Sequence, residues 1–201
     1  MSKLLLVRHG DTELASGERY WGHSDVELGA TGLRQAERLR DRLATEKIDA
    51  IYSSDLQRAL VTAKIIVSRH QLDIITCTEL REINFGEIEG LTFDEASRLY
   101  PEVTKLWMER SLKLEYPGGE SLDQFNSRVN KFVDRLNKYA AEETILIIAH
   151  SGVLRTLVCQ LLGIGLEHRW QIRLDLASLS IIETYPQGAI LNLLNDVSHL
   201  G

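Results

Sequence analysis

The sequence predicts an α/β layered fold built on a parallel sheet. Three short runs carry this expectation: residues 4–7, 50–52 and 145–149 are apolar at every position. Such runs suit strands covered on both faces, as in a parallel sheet. Each leads, at once or after a loop, into a stripe of apolar residues at helical spacing. Alternation of buried strands with amphipathic helices indicates layers of helix packed on a sheet.

The first run stops at Arg8, and Leu33, Ala36, Leu39 and Leu43 then recur at helical spacing. The second stops at Ser53. It is followed by the stripe Leu56, Ala59, Leu60, Ala63, Ile66 and Val67, with Ser54 or Asp55 as the N-cap. Ile74-Ile75 suggests a further strand. Residues 84–120 carry no strand signal; short helical stretches near 94–100 and 102–110, then Pro117-Gly118-Gly119, read as a helical cap. Ser121-Leu122-Asp123-Gln124 is a capping-box pattern, and Leu122, Phe125, Val129, Phe132, Val133 and Leu136 form the stripe after it. The third run stops at His150. Ser151 then opens the stripe Val153, Leu154, Leu157, Val158, Leu161 and Leu162. Residues 180–185 and 189–194 flank Pro186-Gln187-Gly188, a hairpin signal.

A length of 201 residues suits one domain, spanning 1–201, with the cap inserted in it. The formal net charge is -6, from 29 Asp+Glu against 23 Lys+Arg. Nucleic acid polymers and anionic membranes need a basic face, so neither is an expected partner. Cys77 and Cys159 sit in apolar surroundings and match no metal or CxxC spacing, which fits a reducing, cytoplasmic compartment. The apolar run at the start is too short for a secretory signal, and no stretch reaches membrane-spanning length.

In open α/β sheets, ligands bind beyond the carboxyl ends of the strands. Arg8 and His9 follow the first strand, Ser53-Ser54-Asp55 with Arg58 follow the second, and His150-Ser151-Gly152 follow the third. Any one of these is ordinary: a lone histidine at a strand end is more often structural, and a lone helical arginine is more often solvated. All of them at equivalent ends of one sheet is not. Two guanidinium forks match the oxygens of a phosphate ester, and helix N–H groups add partial positive charge. A neutral imidazole is a nucleophile toward phosphorus, and Arg8 and Arg58 disfavour the imidazolium form of His9. His150 can hold the transferred oxygens. A departing alkoxide needs a proton, for which Glu79, Glu82, Glu87 and Glu89 are all candidates. His23, His70, His168 and His199 lack such placement and read as surface or loop residues. Trp107 and Met108 read as packing within the cap.

Several stretches together resemble the histidine phosphatase superfamily, which includes the cofactor-dependent phosphoglycerate mutases. They are Leu6-Val7-Arg8-His9-Gly10-Asp11-Thr12, Tyr52-Ser53-Ser54-Asp55-Leu56-Gln57-Arg58-Ala59, Leu80-Arg81-Glu82-Ile83-Asn84-Phe85-Gly86, Gly118-Gly119-Glu120-Ser121 and Ala149-His150-Ser151-Gly152. The resemblance implies a three-layer α/β/α sandwich around a mostly parallel sheet with a helical insertion. It implies His9 as the phosphorylated nucleophile, Glu82 as proton donor, and Arg8, Arg58 and His150 as the rest of the phosphate pocket. Thr12, Trp21, Gly22 and Ser151 join them as expected substrate contacts. It implies no metal or other cofactor, a small-molecule phosphate ester as partner, and allows a homodimer. Within the superfamily, the stretch at 80–102 followed by Pro117-Gly118-Gly119-Glu120-Ser121-Leu122 is most similar to the α-ribazole phosphatases of cobalamin biosynthesis and their broad-specificity relatives. Phosphoserine is an alternative substrate. Leu14-Ala15 stands where many relatives have Trp-Asn.

A phosphoglycerate mutase is a weaker reading, because the cap is short and Glu109-Arg110-Ser111 offers one arginine where mutases carry an adjacent pair. A silent binding module would be expected to lack one of His9, Arg8, Arg58, Glu82 or His150, and all are present. The His and carboxylate spacings match no metal-hydrolase motif.

Overall fold

The computed structural model describes residues 2–14, 19–137, 139 and 142–201. Six strands form one sheet in the order β3-β2-β4-β1-β5-β6. They are β1 (Ser2–Arg8), β2 (Ala50–Ser53), β3 (Ile74–Thr76), β4 (Thr144–Ala149), β5 (Leu179–Tyr185) and β6 (Gly188–Asp196). The four strands β3, β2, β4 and β1 run parallel, while β5 and β6 add an antiparallel edge. The sheet is therefore mostly parallel, and Leu5 lies opposite Leu146 in its centre.

Side chains alternate across a strand, and the runs divide accordingly. Leu5, Val7, Ile51, Leu146 and Ile148 face one core with Leu39 and Leu43 of α1 (Ala30–Leu43) and with Ala59, Ala63 and Ile66 of α2 (Gln57–Val67). Leu4, Leu6, Tyr52, Ile145, Ile147 and Ala149 face the other. There they meet Phe125, Val129 and Phe132 of α5 (Leu122–Leu136) and Val153, Leu154, Leu157 and Val158 of α6 (Ser151–Leu162). That is the expected three-layer sandwich. Each fully buried Leu or Ile here contributes about 1.5–3 kcal/mol by leaving water. The cap holds α3 (Phe93–Leu99), whose Thr92 and Glu95 form a capping box, and α4 (Pro101–Met108), which starts on a proline. Among the described residues, no helix is long and apolar enough to cross a membrane.

Four details depart from the sequence reading. Neither Ser54 nor Asp55 caps α2: Leu56 occupies the N-cap, and Asp25 Oδ1 accepts from Gln57 N at 2.6 Å. Asp55 is engaged by Arg81 instead. His150, not Ser151, is the N-cap of α6. Leu33 lies off the buried stripe of α1 and is exposed. Met108 is 65% exposed rather than packed, because α4 turns Trp107, its neighbour, inward.

Candidate active site

The parallel strands end side by side, and their ends fix the backbone of the site. His9 N donates to Ala149 O at 3.1 Å, Ser54 N donates to Ile148 O at 3.0 Å, and Ala177 N donates to His9 O at 3.0 Å. Gly10 lets α1 approach: a Cβ there would lie 2.6 Å from the Gly32 carbonyl oxygen. Beyond these ends lies a cavity of about 470 Å³. Arg8, His9, Thr12, Trp21, Arg58, Glu82, His150 and Ser151 all line it. Of the expected contacts, Gly22 alone does not line it; its carbonyl accepts from Arg58 Nη2 at 2.7 Å. Leu14 is exposed, and Ala15 lies outside the described residues.

The hydrogen bonds assign the tautomers of both histidines. His9 Nδ1 is 2.7 Å from the Gly10 carbonyl oxygen, which can only accept. Nδ1 therefore carries the proton, and in the neutral ring Nε2 keeps its lone pair. Arg58 Nε can only donate, so His150 Nδ1 accepts from it at 3.2 Å. His150 Nε2–H then donates to Ser54 Oγ at 2.9 Å. The two rings sit 5.0 Å apart, centre to centre. Burial, and after it the charges of Arg58 and Arg8, hold His9 well below the usual histidine range. His150 is lowered in the same way, by burial first and then by Arg58, His9 and Arg8.

Arg58 also fastens the entrance loop. Nη1 donates to Ser24 O at 2.8 Å, and Nη2 donates to the Trp21 and Gly22 carbonyls. From the other side, Glu89 accepts from His23 N and from both Ser24 N and its hydroxyl. Arg8 donates from Nη1 to Leu174 O at 2.7 Å, while its buried Nε meets no acceptor among the described residues. Burial lowers both guanidinium groups, with Glu82 as the largest opposing influence. Arg58 is satisfied by its acceptors, whereas the Arg8 Nε has none, so Arg8 is the cation whose desolvation is poorly compensated, the condition in which an anionic ligand is held hardest.

Of the four carboxylates considered as acids, only Glu82 lines the cavity. Glu79 pairs with Arg135, Glu87 accepts from Tyr100, and Glu89 holds the loop. Glu82 Oε1 accepts from Ile83 N at 3.0 Å, and Oε2 accepts from Gly152 N at 2.9 Å. The Gly152 N–H is thus committed to Glu82, leaving a smaller part of the helix terminus for a ligand than the sequence suggested. His23 is half-buried off the cavity, and His199 packs by its Nε2 against the Ala177 carbonyl.

The sequence reading missed Ser54 as the partner of His150. It also missed Phe85 and Tyr116, which with Tyr20 of the entrance loop and with Trp107, read as cap packing, form an aromatic wall, and the two arginines 155 and 169 that line the cavity. Arg155 was findable: it lies one turn after Ser151 on α6, on the same side. Arg169, in the short 3-10 helix Leu166–Gln171, has no periodic signal.

A model of the histidine phosphatase superfamily (branch 1) matches residues 4–197. The chain belongs to the histidine phosphatase superfamily. With it goes the reaction class: the chain is a phosphoric monoester hydrolase. It is 35% identical over 201 residues to phosphoserine phosphatase 1 of Hydrogenobacter thermophilus, covering 100% of this chain and 95% of that one. Its fold superimposes on the α-ribazole phosphatase of Shigella flexneri with a TM-score of 0.90 at 32% identity, over 96% of each chain. A phosphoserine phosphatase mutant from Entamoeba histolytica in complex with phosphoserine gives a TM-score of 0.88 at 26% identity, over 100% of each.

Proposed function

We propose that the chain hydrolyses a small phosphate monoester in two displacements through a phosphohistidine at His9. The observation that carries this is the His9–Gly10 hydrogen bond, which leaves the Nε2 lone pair free in a cavity also lined by the buried Arg58 and the partly buried Arg8. In the first step Nε2 attacks phosphorus and the P–O bond to the leaving group breaks. The departing alkoxide takes a proton from the Glu82 carboxyl. Arg8 and Arg58 neutralise the phosphoryl oxygens while charge spreads over them. In the second step water attacks the phosphohistidine, Glu82 takes the water's proton, and the N–P bond breaks to release phosphate. His150, neutral and fixed between Arg58 and Ser54, sets the guanidinium plane beside the transferred group.

For the substrate, two esters stand first: α-ribazole 5′-phosphate, on the resemblance of residues 80–102, and phosphoserine, on the overall likeness to the Hydrogenobacter enzyme. Tyr20, Trp21, Phe85 and Trp107 line the outer cavity, with Tyr20 and Trp107 ring centres 4.5 Å apart, and that wall accepts a planar leaving group. The test is a panel of α-ribazole 5′-phosphate, phosphoserine and 3-phosphoglycerate with a chelator present, combined with rapid quench. Phosphate release with a labelled histidine, both lost in His9→Ala, is the expected result. Turnover that survives His9→Ala, or that needs an added divalent ion, would overturn the proposal.

A further inference from the structure

A recess of about 110 Å³ opens off the main cavity between the cap and α6. It shares Trp107, Gly152, Arg155 and Arg169 with that cavity and adds Arg110, Ser111 and Trp170. Three guanidinium groups from three separate segments therefore meet beside the site. None of the three forms an ion pair with a carboxylate among the described residues. Among the described residues, Arg155 Nε is buried with no acceptor, Arg169 donates only to the Leu166 carbonyl of its own turn, and Arg110 lies 5.1 Å over the Trp170 ring. Among the described residues, the one carboxylate lining either space is Glu82, whose oxygens are occupied by Ile83 N and Gly152 N.

Like charges gathered in a partly dry recess repel one another and lose hydration. Burial lowers both Arg155 and Arg169; Glu82 opposes this at Arg155, and the charge of Arg110 adds to it at both, with Arg155 acting on Arg169 as well. Glu82 and Asp175 offset part of this cost at Arg155, and an anionic ligand would offset the rest. The recess adjoins Gly152, whose N–H donates to Glu82, the carboxyl assigned above to the leaving group.

We propose that Arg155 and Arg169, helped by Arg110, bind a second anionic group on the leaving part of the substrate, a carboxylate or a second phosphoryl group. This rests on the phosphatase reading and narrows it: the preferred esters carry a negative charge beyond the reacting phosphate. Phosphoserine has one; the ribosyl leaving group of α-ribazole 5′-phosphate does not. Substrate choice is then made by α6 and the segment after it as well as by the cap.

The test compares 3-phosphoglycerate with glycerol 3-phosphate, which differ only by a carboxylate against a hydroxymethyl group. Propane-1,3-diol bisphosphate supplies the phosphoryl alternative. Each is titrated calorimetrically into His9→Ala, which cannot consume it. The ester with a second anion should bind about tenfold tighter or better, as a charge-assisted guanidinium contact gives. That margin should collapse in Arg155→Gln and in Arg169→Gln. Equal binding of all three esters, which needs no arginine variant to detect, overturns the subsite, as does a margin that survives both replacements together. Failure of the phosphatase reading is separately visible: wild-type protein would then release no phosphate from any ester, whatever the binding margin.

Discussion

Arg58 donates from Nε to His150 Nδ1 at 3.2 Å, so one guanidinium fixes the tautomer of a histidine and the shape of the entrance loop at once. A lysine cannot do both, because it offers a point charge where the structure uses a planar fork. Arg58→Lys should lower kcat/KM roughly 100-fold, the usual effect of removing one preorganised donor. Stopped-flow assay against wild type checks this. Ser54→Ala, which strands the buried His150 Nε2–H, should cost about 1–3 kcal/mol of stability in urea unfolding. A neutral Ser54 variant would mean that His150 is held by something other than this pair.

Loss of the nucleophile is the severest change. His9→Ala should reduce turnover roughly a thousandfold or more. Intact-mass spectrometry of wild type quenched during turnover should show the gain of one phosphoryl group, absent from the variant. His9 is 7% exposed, so the small cavity left by alanine should leave the fold intact by circular dichroism.

How far the sequence carried the fold and the site follows from the range of the interactions. Strands at 4–7, 50–52 and 145–149 were legible because full burial on both faces leaves a signal at every residue. The same logic placed His9, Arg8, Arg58 and His150 at strand ends. The α2 cap was misread because its acceptor, Asp25, lies 32 residues upstream. No local pattern reports that. Trp107 and Met108 could not be told apart by composition, since which side of α4 meets Tyr20 and Phe85 depends on how the cap folds back. Composition and spacing left Glu79, Glu82, Glu87 and Glu89 alike and only the family resemblance pointed to Glu82; three-dimensional pairing puts Glu82 in the cavity and gives the other three partners elsewhere.

Glu82 owes its place to the missing side chain of Gly152. A Cβ there would lie 2.3 Å from Glu82 Oε1. Gly152→Ala should therefore push the carboxyl off its two backbone donors and weaken proton delivery. Glu82→Gln removes the proton outright. Both variants should slow alkyl phosphates about tenfold to a hundredfold more than p-nitrophenyl phosphate, whose leaving group departs without a proton. Equal slowing of the two ester types would mean that Glu82 acts on binding and not as the acid.

Arg128 holds the backbone that presents Glu82. Its guanidinium donates to the carbonyls of Glu79, Arg81 and Glu82 at 2.9, 2.8 and 3.1 Å, and pairs with Glu120 at 2.7 Å. Glu120 in turn accepts from Asn84 N. Arg128→Met should leave these acceptors and the half-buried Glu120 unpaired, costing about 2–4 kcal/mol. The leaving-group dependence of turnover should steepen with it, which a purely structural role would not produce. Urea unfolding and the alkyl-to-aryl rate ratio give the two readings.

The buried histidines make stability depend on pH in a defined direction. His9 and His150 stay neutral in the fold, being held well below the usual histidine value by burial and by Arg58. In the unfolded chain both take protons near pH 6.5. The unfolded state therefore binds more protons as pH falls, and the fold loses stability below that point while keeping it in full above. His23 and His199 are lowered in the same sense, but they are half-exposed and weigh less. Each buried histidine contributes about 1.4 kcal/mol per pH unit once well below its unfolded value, so about 2–4 kcal/mol should vanish between pH 7 and 5. His9→Asn removes one of the two groups and should shrink that loss by about 1–2 kcal/mol. Urea midpoints at the two pH values decide it: a loss of the same size in His9→Asn would show that His9 is not the buried neutral base described above.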